Sequence, residues 1–173
     1  SAVLFYLGAY TFMNIGAFGI LVWIRNRRPF AYGLDEIAGL ARSMPWTAIA
    51  MALFMVSLTG IPPLVGFWGK FYLFTAIVDA GMTWLAIVAV IMSAVSAYYY
   101  LRVVWYMYFR EAPEGAAEAS AASGAALVAD DAGPALGSAA AVLLAALGVV
   151  ALGLYPSPLI SAAQGALRVL IGG

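Results

Sequence analysis

Apolar residues in this chain come in long, nearly unbroken runs, with the charged residues gathered in short stretches between them. A helix that crosses a bilayer needs about 20 predominantly apolar residues. Residues 2–24 meet that requirement and are closed by Arg25, Arg27, Arg28 and Pro29. The second run, 47–80, is too long for one straight crossing, because at ~1.5 Å per residue it would extend roughly 50 Å against a core of ~30 Å. It must tilt, protrude or break. A third run covers 82–109 and a fourth 135–155. The pattern predicts an all-α integral membrane protein of about four transmembrane helices, the second broken at Gly60-Ile61-Pro62-Pro63. The tight turn Asp79-Ala80-Gly81 makes the second and third crossings an antiparallel hairpin.

The segments between the runs complete the domain plan. Within 29–46, Leu34, Ile37, Ala38 and Ala41 recur at helical spacing, with Asp35 and Glu36 early and Arg42 late, as the helix dipole favours. A short interfacial helix leading into the second crossing is expected there. Residues 111–134 are rich in alanine, glycine and serine, carry acidic groups and lack aromatics, which reads as a flexible cytoplasmic loop. Residues 1–110 thus form one unit of three membrane helices, and 135–173 hold the last crossing and an amphipathic surface tail. Arg25, Arg27, Arg28, Arg42, Arg102 and Arg110 fall on one side of the membrane if the helices alternate, and only Arg168 falls on the other. The excess of arginine predicts a cytoplasmic face there and a C-terminus on the outer face.

Composition narrows the chemistry. The chain is 65% hydrophobic and 9% charged, whereas a soluble domain has about a quarter charged residues. A formal net charge of zero argues against nucleic acid as a partner. Without histidine or cysteine, the chain lacks the side chains for disulfides, thiolate chemistry, haem ligation or the usual zinc sites. No metal site and no catalytic redox residue is expected. No charged leader or cleavage site precedes the first apolar run, so it is not a signal peptide, and a piece of a longer protein is expected.

Lys70 is the only lysine, and it lies inside the second apolar run, with Arg42 and Asp79 as its nearest charges along the chain. An ionisable group in a membrane segment is by default a functional-site hypothesis, since its desolvation must be offset. Low dielectric disfavours the charged form of an amine, which suits such a lysine to taking up and releasing a proton. Ten residues, or ~15 Å, separate it from the outer end near Ala80, too far for easy snorkelling. Pro62 and Pro63 have no N–H, so the carbonyls of Leu58 and Thr59 lose their helical partners, while Gly60 and Gly66 loosen the backbone on either side. Ser57 and Thr59 sit where they can help re-satisfy the break. The positive end of the second half-helix adds a further penalty for a nearby cation. Counting back from the hairpin turn puts Ile91 level with Lys70 and Ser93 within about one helical turn of it. Ser93, Ser96 and Tyr100 share a face that either lines a hydrated path past the lysine or glues packed helices together. Asn14 and Thr11 on the first helix are expected to bond between helices. Tyr98, Tyr99, Tyr100, Trp105, Tyr106 and Tyr108 cluster towards the cytoplasmic end of the third crossing, and an interfacial aromatic belt explains most of them.

The stretch SLTGIPPLVGFWGKFYLF, preceded by LDEIAGLARSMPW, resembles the broken helix of the antiporter-like subunits of respiratory complex I, the proton-translocating NADH–quinone oxidoreductase. Gly69-Lys70-Phe71-Tyr72 follows the N-type pattern. The M-type typically has glutamate at the lysine position, and the L-type a lysine followed by acidic residues. By helix order the likeness covers most of 1–110. It implies a larger fold of two inverted five-helix repeats, each with one broken helix, of which this chain would supply the last four helices. Lys70 would then be the proton-carrying lysine of the second half-channel.

The same resemblance implies a translocase subunit in the energy-transducing membrane, here a bacterial plasma membrane. Other membrane subunits, including related antiporter-like ones, and the lipid bilayer would be its partners. NADH, FMN, iron–sulfur clusters and quinone would belong to other subunits. Two alternatives stay open: a related cation/proton antiporter, recognised by sodium-dependent transport without NADH, and a structural scaffold subunit in which Lys70 is replaceable.

Overall fold

The structure is a computed structural model and describes residues 2–27, 33–111 and 132–171. Helix α1 (Ala2–Arg27) leads through a single 3-10 turn (Leu34–Ile37) and the one-turn helix α2 (Leu40–Ser43) into α3 (Pro45–Thr59). After a break come α4 (Val65–Asp79), α5 (Thr83–Phe109), α6 (Ala132–Leu154) and α7 (Ser157–Ile171). Among the described residues there is no strand.

Among the described residues, three helices are long and apolar enough to cross a membrane: α1 over Ala2–Arg25, α5 over Thr83–Phe109 and α6 over Gly137–Leu154. Helices α3 and α4 have 15 residues each, or ~22 Å, so neither spans a ~30 Å core alone. End to end they make the fourth crossing. The chain is therefore an all-helical integral membrane protein whose second crossing is broken. Gly81, at φ 75, closes the turn between α4 and α5, its N–H donating to the Val78 carbonyl at 2.9 Å.

The connector before α3 differs from the single short helix expected from its spacing. Gly39 adopts a left-handed φ of 67 and splits it into two separate turns. The Gly39 N–H donates instead to the Tyr106 carbonyl of α5 at 3.2 Å, so tertiary bonding replaces helix continuation. Nearby, Arg110 pairs with Asp35 at 2.9 Å and lies 4.8 Å from the centre of the Tyr106 ring. Both charged groups are exposed, so the pair contributes little stability. Most of the acidic loop expected at 111–134 lies outside the described residues.

Helix α1 packs against α3, α4, α6 and α7. Small residues let large neighbours approach its axis, which is how helices gain contact where no hydrophobic drive exists between them. The Phe54 ring of α3 lies over Gly16, and Phe12 of α1 lies over Gly148 of α6. Phe5, Ala9, Met13, Ala17, Ile20 and Ile24 form the buried stripe of α1. Helix α5 rests on α3 and α4 and leaves Trp84, Ile87, Met92, Tyr98 and Tyr99 exposed. The tail helix α7 lays Leu159 against Gly8 of α1 and buries Ala163.

Candidate functional site

The break is built from both half-helices. At the end of α3, Gly60 turns left-handed (φ 92), its N–H reaching the Ser57 carbonyl at 3.0 Å. The Ile61 N–H reaches the Val56 carbonyl at 3.3 Å. This pair of bonds is the Schellman termination, which consumes two of the carbonyls left over at a helix end. Pro62 and Pro63 follow, joined by a cis peptide, and Leu64 is extended before α4 begins.

Ser57 joins the two halves. Its side chain is fully buried, its hydroxyl accepts the Gly66 N–H of α4 at 3.2 Å, and the same hydroxyl donates to the Met13 sulfur at 3.0 Å. Ser57 therefore caps one helix from the last turn of another. A Cβ on Gly66 would overlap the Ser57 carbonyl, so the close approach of the halves requires glycine. On the far side, the Pro63–Leu64 backbone lies against Gly153 of α6, and the Trp68 indole N–H donates to the Gly153 carbonyl at 2.8 Å. Trp68→Phe removes that bond and leaves only part of the indole's space unfilled, at a half-buried position. A loss of about 1–3 kcal/mol is expected, read as a drop in thermal midpoint of the detergent-solubilised protein.

Lys70 stands in the second turn of α4 and folds back over Gly60; a Cβ there would lie 3.0 Å from the lysine Cδ. Its ammonium donates to the Thr59 carbonyl at 2.9 Å and to the Ser93 hydroxyl of α5 at 2.8 Å. One of the carbonyls freed by the prolines is thus bonded by the lysine itself. This changes the electrostatic expectation drawn from the sequence. The ammonium turns away from the positive start of α4 to the carbonyl end of α3, where the dipole favours a cation. Lys70 is half-buried rather than sealed in, because one side of the site is not covered by the described helices. No carboxylate among the described residues lies within ion-pairing distance of it.

The other sequence-predicted residues fall around this centre unequally. Thr59 directs its hydroxyl to the Met55 carbonyl of its own helix at 2.8 Å, so its contribution to the lysine is its backbone. Ser96 donates to the Ser93 carbonyl at 2.8 Å, on the face of α5 that carries the lysine's partner. Tyr100 shares that face of α5, two turns beyond Ser93. Thr11 and Asn14 do not bond between helices as expected: they return to the Leu7 and Tyr10 carbonyls one turn back, each at 2.8 Å. A short polar side chain on a helix finds the carbonyl four residues earlier before it finds a neighbour. Sequence reasoning missed Met13, Trp68 and Gly153. An indole N–H in an apolar run signals the need for a partner, but nothing in the chain marked which carbonyl would supply it.

Residues 1–96 match the family described as NADH:quinone oxidoreductase/Mrp antiporter, transmembrane. The subunit N 2 of NADH-quinone oxidoreductase from Roseiflexus castenholzii is 44% identical over 99% of this chain and 31% of its own length. The subunit N of Paramagnetospirillum magneticum is 39% identical over 97% of this chain and 32% of its own. Among solved structures, respiratory complex I from Thermus thermophilus with bound aureothin contains a chain that superposes with a TM-score of 0.60 at 32% identity, covering 89% of this chain and 33% of that one. The chain spans about a third of the length of the curated relatives it matches. A broken apolar helix with a lysine across its break, set in a bundle of this shape and matched over more than half its length, places the chain in the NADH:quinone oxidoreductase/Mrp antiporter transmembrane family.

Proposed function

We propose that this chain is part of an N-type membrane-arm subunit of a proton-translocating NADH–quinone oxidoreductase, in which Lys70 alternately holds and releases a proton. The observation that carries the reading is the lysine ammonium bridging the carbonyl end of one half-helix and a hydroxyl of the next helix. A carbonyl and a hydroxyl hold the proton without a fixed counter-ion, so its release leaves no stranded carboxylate behind. Ser57, Gly60, Pro62, Pro63 and Gly66 supply a break that holds the acceptor in place. Ser93, Ser96 and Tyr100 supply a polar face along which water can bond.

In this reading the enzyme is a translocase and the chain performs no redox step. Among the described residues no group of three or more acidic side chains could hold a metal. NADH, FMN, iron–sulfur clusters and quinone are assigned to other subunits, with related antiporter-like subunits as membrane neighbours. The test is NADH-driven proton uptake by vesicles carrying the whole enzyme with Lys70→Ala. The family's description also names Mrp antiporters, which favours one second reading, a cation/proton antiporter. Transport driven by a sodium gradient without NADH would select it.

The arginines at the ends of α1 and α5 support a cytoplasmic placement of those ends, and so an outer-face C-terminus and a cytoplasmic 111–134 loop. A phosphatase fused after residue 173 is expected to be active, as it is only outside the cytoplasm. An inactive phosphatase in a stably inserted fusion would reverse the orientation.

A further inference from the structure

A hydroxyl on a helix commonly serves its own backbone. Thr11, Thr59 and Thr75 each donate to the carbonyl four residues back, at 2.8, 2.8 and 2.9 Å. Ser57 does not: its proton goes to the Met13 sulfur of α1 at 3.0 Å, and its oxygen accepts the Gly66 N–H at 3.2 Å. A backbone N–H only donates and a thioether only accepts, so the serine between them has one arrangement open to it. Ser57 is fully buried and Met13 is 2% exposed, so bulk water takes neither place. The same sulfur lies 3.0 Å from where a Cβ on Gly66 would stand, which puts it where α1 meets both half-helices. Ala9 and Ala17, one turn to either side of Met13 and both buried, let α1 come that close.

We propose that Met13 is a positioning residue for Lys70, a deepening that rests on the proton-carrying reading of that lysine. Two ties cross the break: the Ser57 hydroxyl to Gly66, and the Thr59 carbonyl to the Lys70 ammonium at 2.9 Å. On α4 their ends are four residues apart, one turn from each other on one face. The first tie sets where α4 starts, and so how far the lysine stem must reach for the second. A weak acceptor does this by direction rather than by strength. It holds the Ser57 proton away from the Leu53 carbonyl, to which a helix serine otherwise turns, and leaves the oxygen lone pairs for Gly66. Leucine at position 13 fills similar space but accepts no proton. The hydroxyl then turns back on its own helix, Gly66 loses its acceptor, and Lys70 is held less firmly on Thr59 and Ser93. The other ionisable groups stand apart. Asp79 on α4 lies nine residues, ~14 Å, from Lys70; Tyr100 and Arg102 on α5 lie seven and nine residues beyond Ser93; and α3 and α6 have none. Helix α1 brings the Tyr6 phenol beside Gly69.

The test uses vesicles carrying the whole enzyme with Met13→Leu, Ser57→Ala, both together, or Ser93→Ala, and Lys70→Ala in parallel. NADH-driven proton uptake is followed across pH and normalised to assembled enzyme on native gels. Met13→Leu is expected to assemble and to pump several-fold more slowly. Its pH profile should be displaced in the same direction as that of Ser93→Ala, which removes a partner of the lysine outright. The double variant should be no slower than Ser57→Ala, because the methionine acts only through the serine. Wild-type uptake and profile in Met13→Leu would overturn the proposal even where Lys70→Ala abolishes pumping. Slower uptake with an unmoved profile, or additive losses in the double variant, would reduce Met13 to packing. Ser57→Ala leaves the methionine in place, so a wild-type profile there overturns the proposal even if Met13→Leu fails to assemble. Normal pumping by Lys70→Ala would remove the reading beneath it, and this role of Met13 with it.

Discussion

Lys70→Ala is expected to lower NADH-driven proton uptake by about tenfold or more in an assembled enzyme, since removal of a positioned proton-transfer group costs about 10²–10⁴-fold where that transfer limits the rate. Two effects compete in this variant. The first is loss of the proton carrier. The second is structural: the Thr59 carbonyl and the Ser93 hydroxyl lose their donor, and an orphaned buried acceptor costs about 1–3 kcal/mol. The half-exposed site lets water re-satisfy both groups, so assembly is expected to survive. Lys70→Arg separates the effects. A guanidinium keeps the charge and can still donate to Thr59, but it does not release its proton at accessible pH. If the lysine is a carrier, arginine fails as alanine does. If it is only the tie that closes a broken helix, arginine restores pumping, and the scaffold reading of this segment prevails.

Gly66→Ala is expected to be the most destabilising single methyl in the described structure around the break. The added Cβ overlaps the backbone carbonyl of Ser57, which cannot rotate away as a side chain would. Forcing the halves apart costs about 1–3 kcal/mol or more as overpacking. It also breaks the bond from the Gly66 N–H to the Ser57 hydroxyl, leaving buried polar groups unmatched at a cost of about 1–3 kcal/mol. Together these come to about 2–6 kcal/mol, which reaches the lower end of the stability of a typical domain, about 5–15 kcal/mol. Gly60→Ala should cost less, about 1 kcal/mol for the left-handed backbone, because the lysine stem it meets is flexible. The measurement is protein level in membranes and thermal midpoint in detergent, with Gly137→Ala as control, a position with open space around it. Gly66→Ala with the control's stability would mean that the half-helices are not held together as described.

Much of this molecule is legible in its order of residues. Each apolar run long enough to cross became a helix, because backbone polar groups in hydrocarbon must be satisfied within the segment. The run of 47–80 had to break, since its length exceeded the membrane and its only two consecutive prolines removed the necessary donors. Less legible was the stretch before it. Leu34, Ile37, Ala38 and Ala41 have helical spacing, yet Gly39 bonds to Tyr106 in α5 and the helix divides. Spacing reports local preference, and a single long-range hydrogen bond outweighs it.

Around Lys70 the boundary is sharper. Its rarity, its place behind the prolines and its lying within about one helical turn of Ser93 follow from sequence and helix rise alone. The direction of its side chain does not. A four-carbon stem can reach several acceptors, and one wins because Gly60 leaves room for the stem to fold back onto the Thr59 carbonyl. Likewise, sequence fixes Ser57 near the break but not that its hydroxyl accepts from Gly66 and donates to Met13. Covalent order determines which segments must be helices and where a helix must stop, because those depend on each residue's own donors and length. Which carbonyl meets which donor across a break depends on how closely the helices approach, and that was decided only when α1, α4 and α6 packed together.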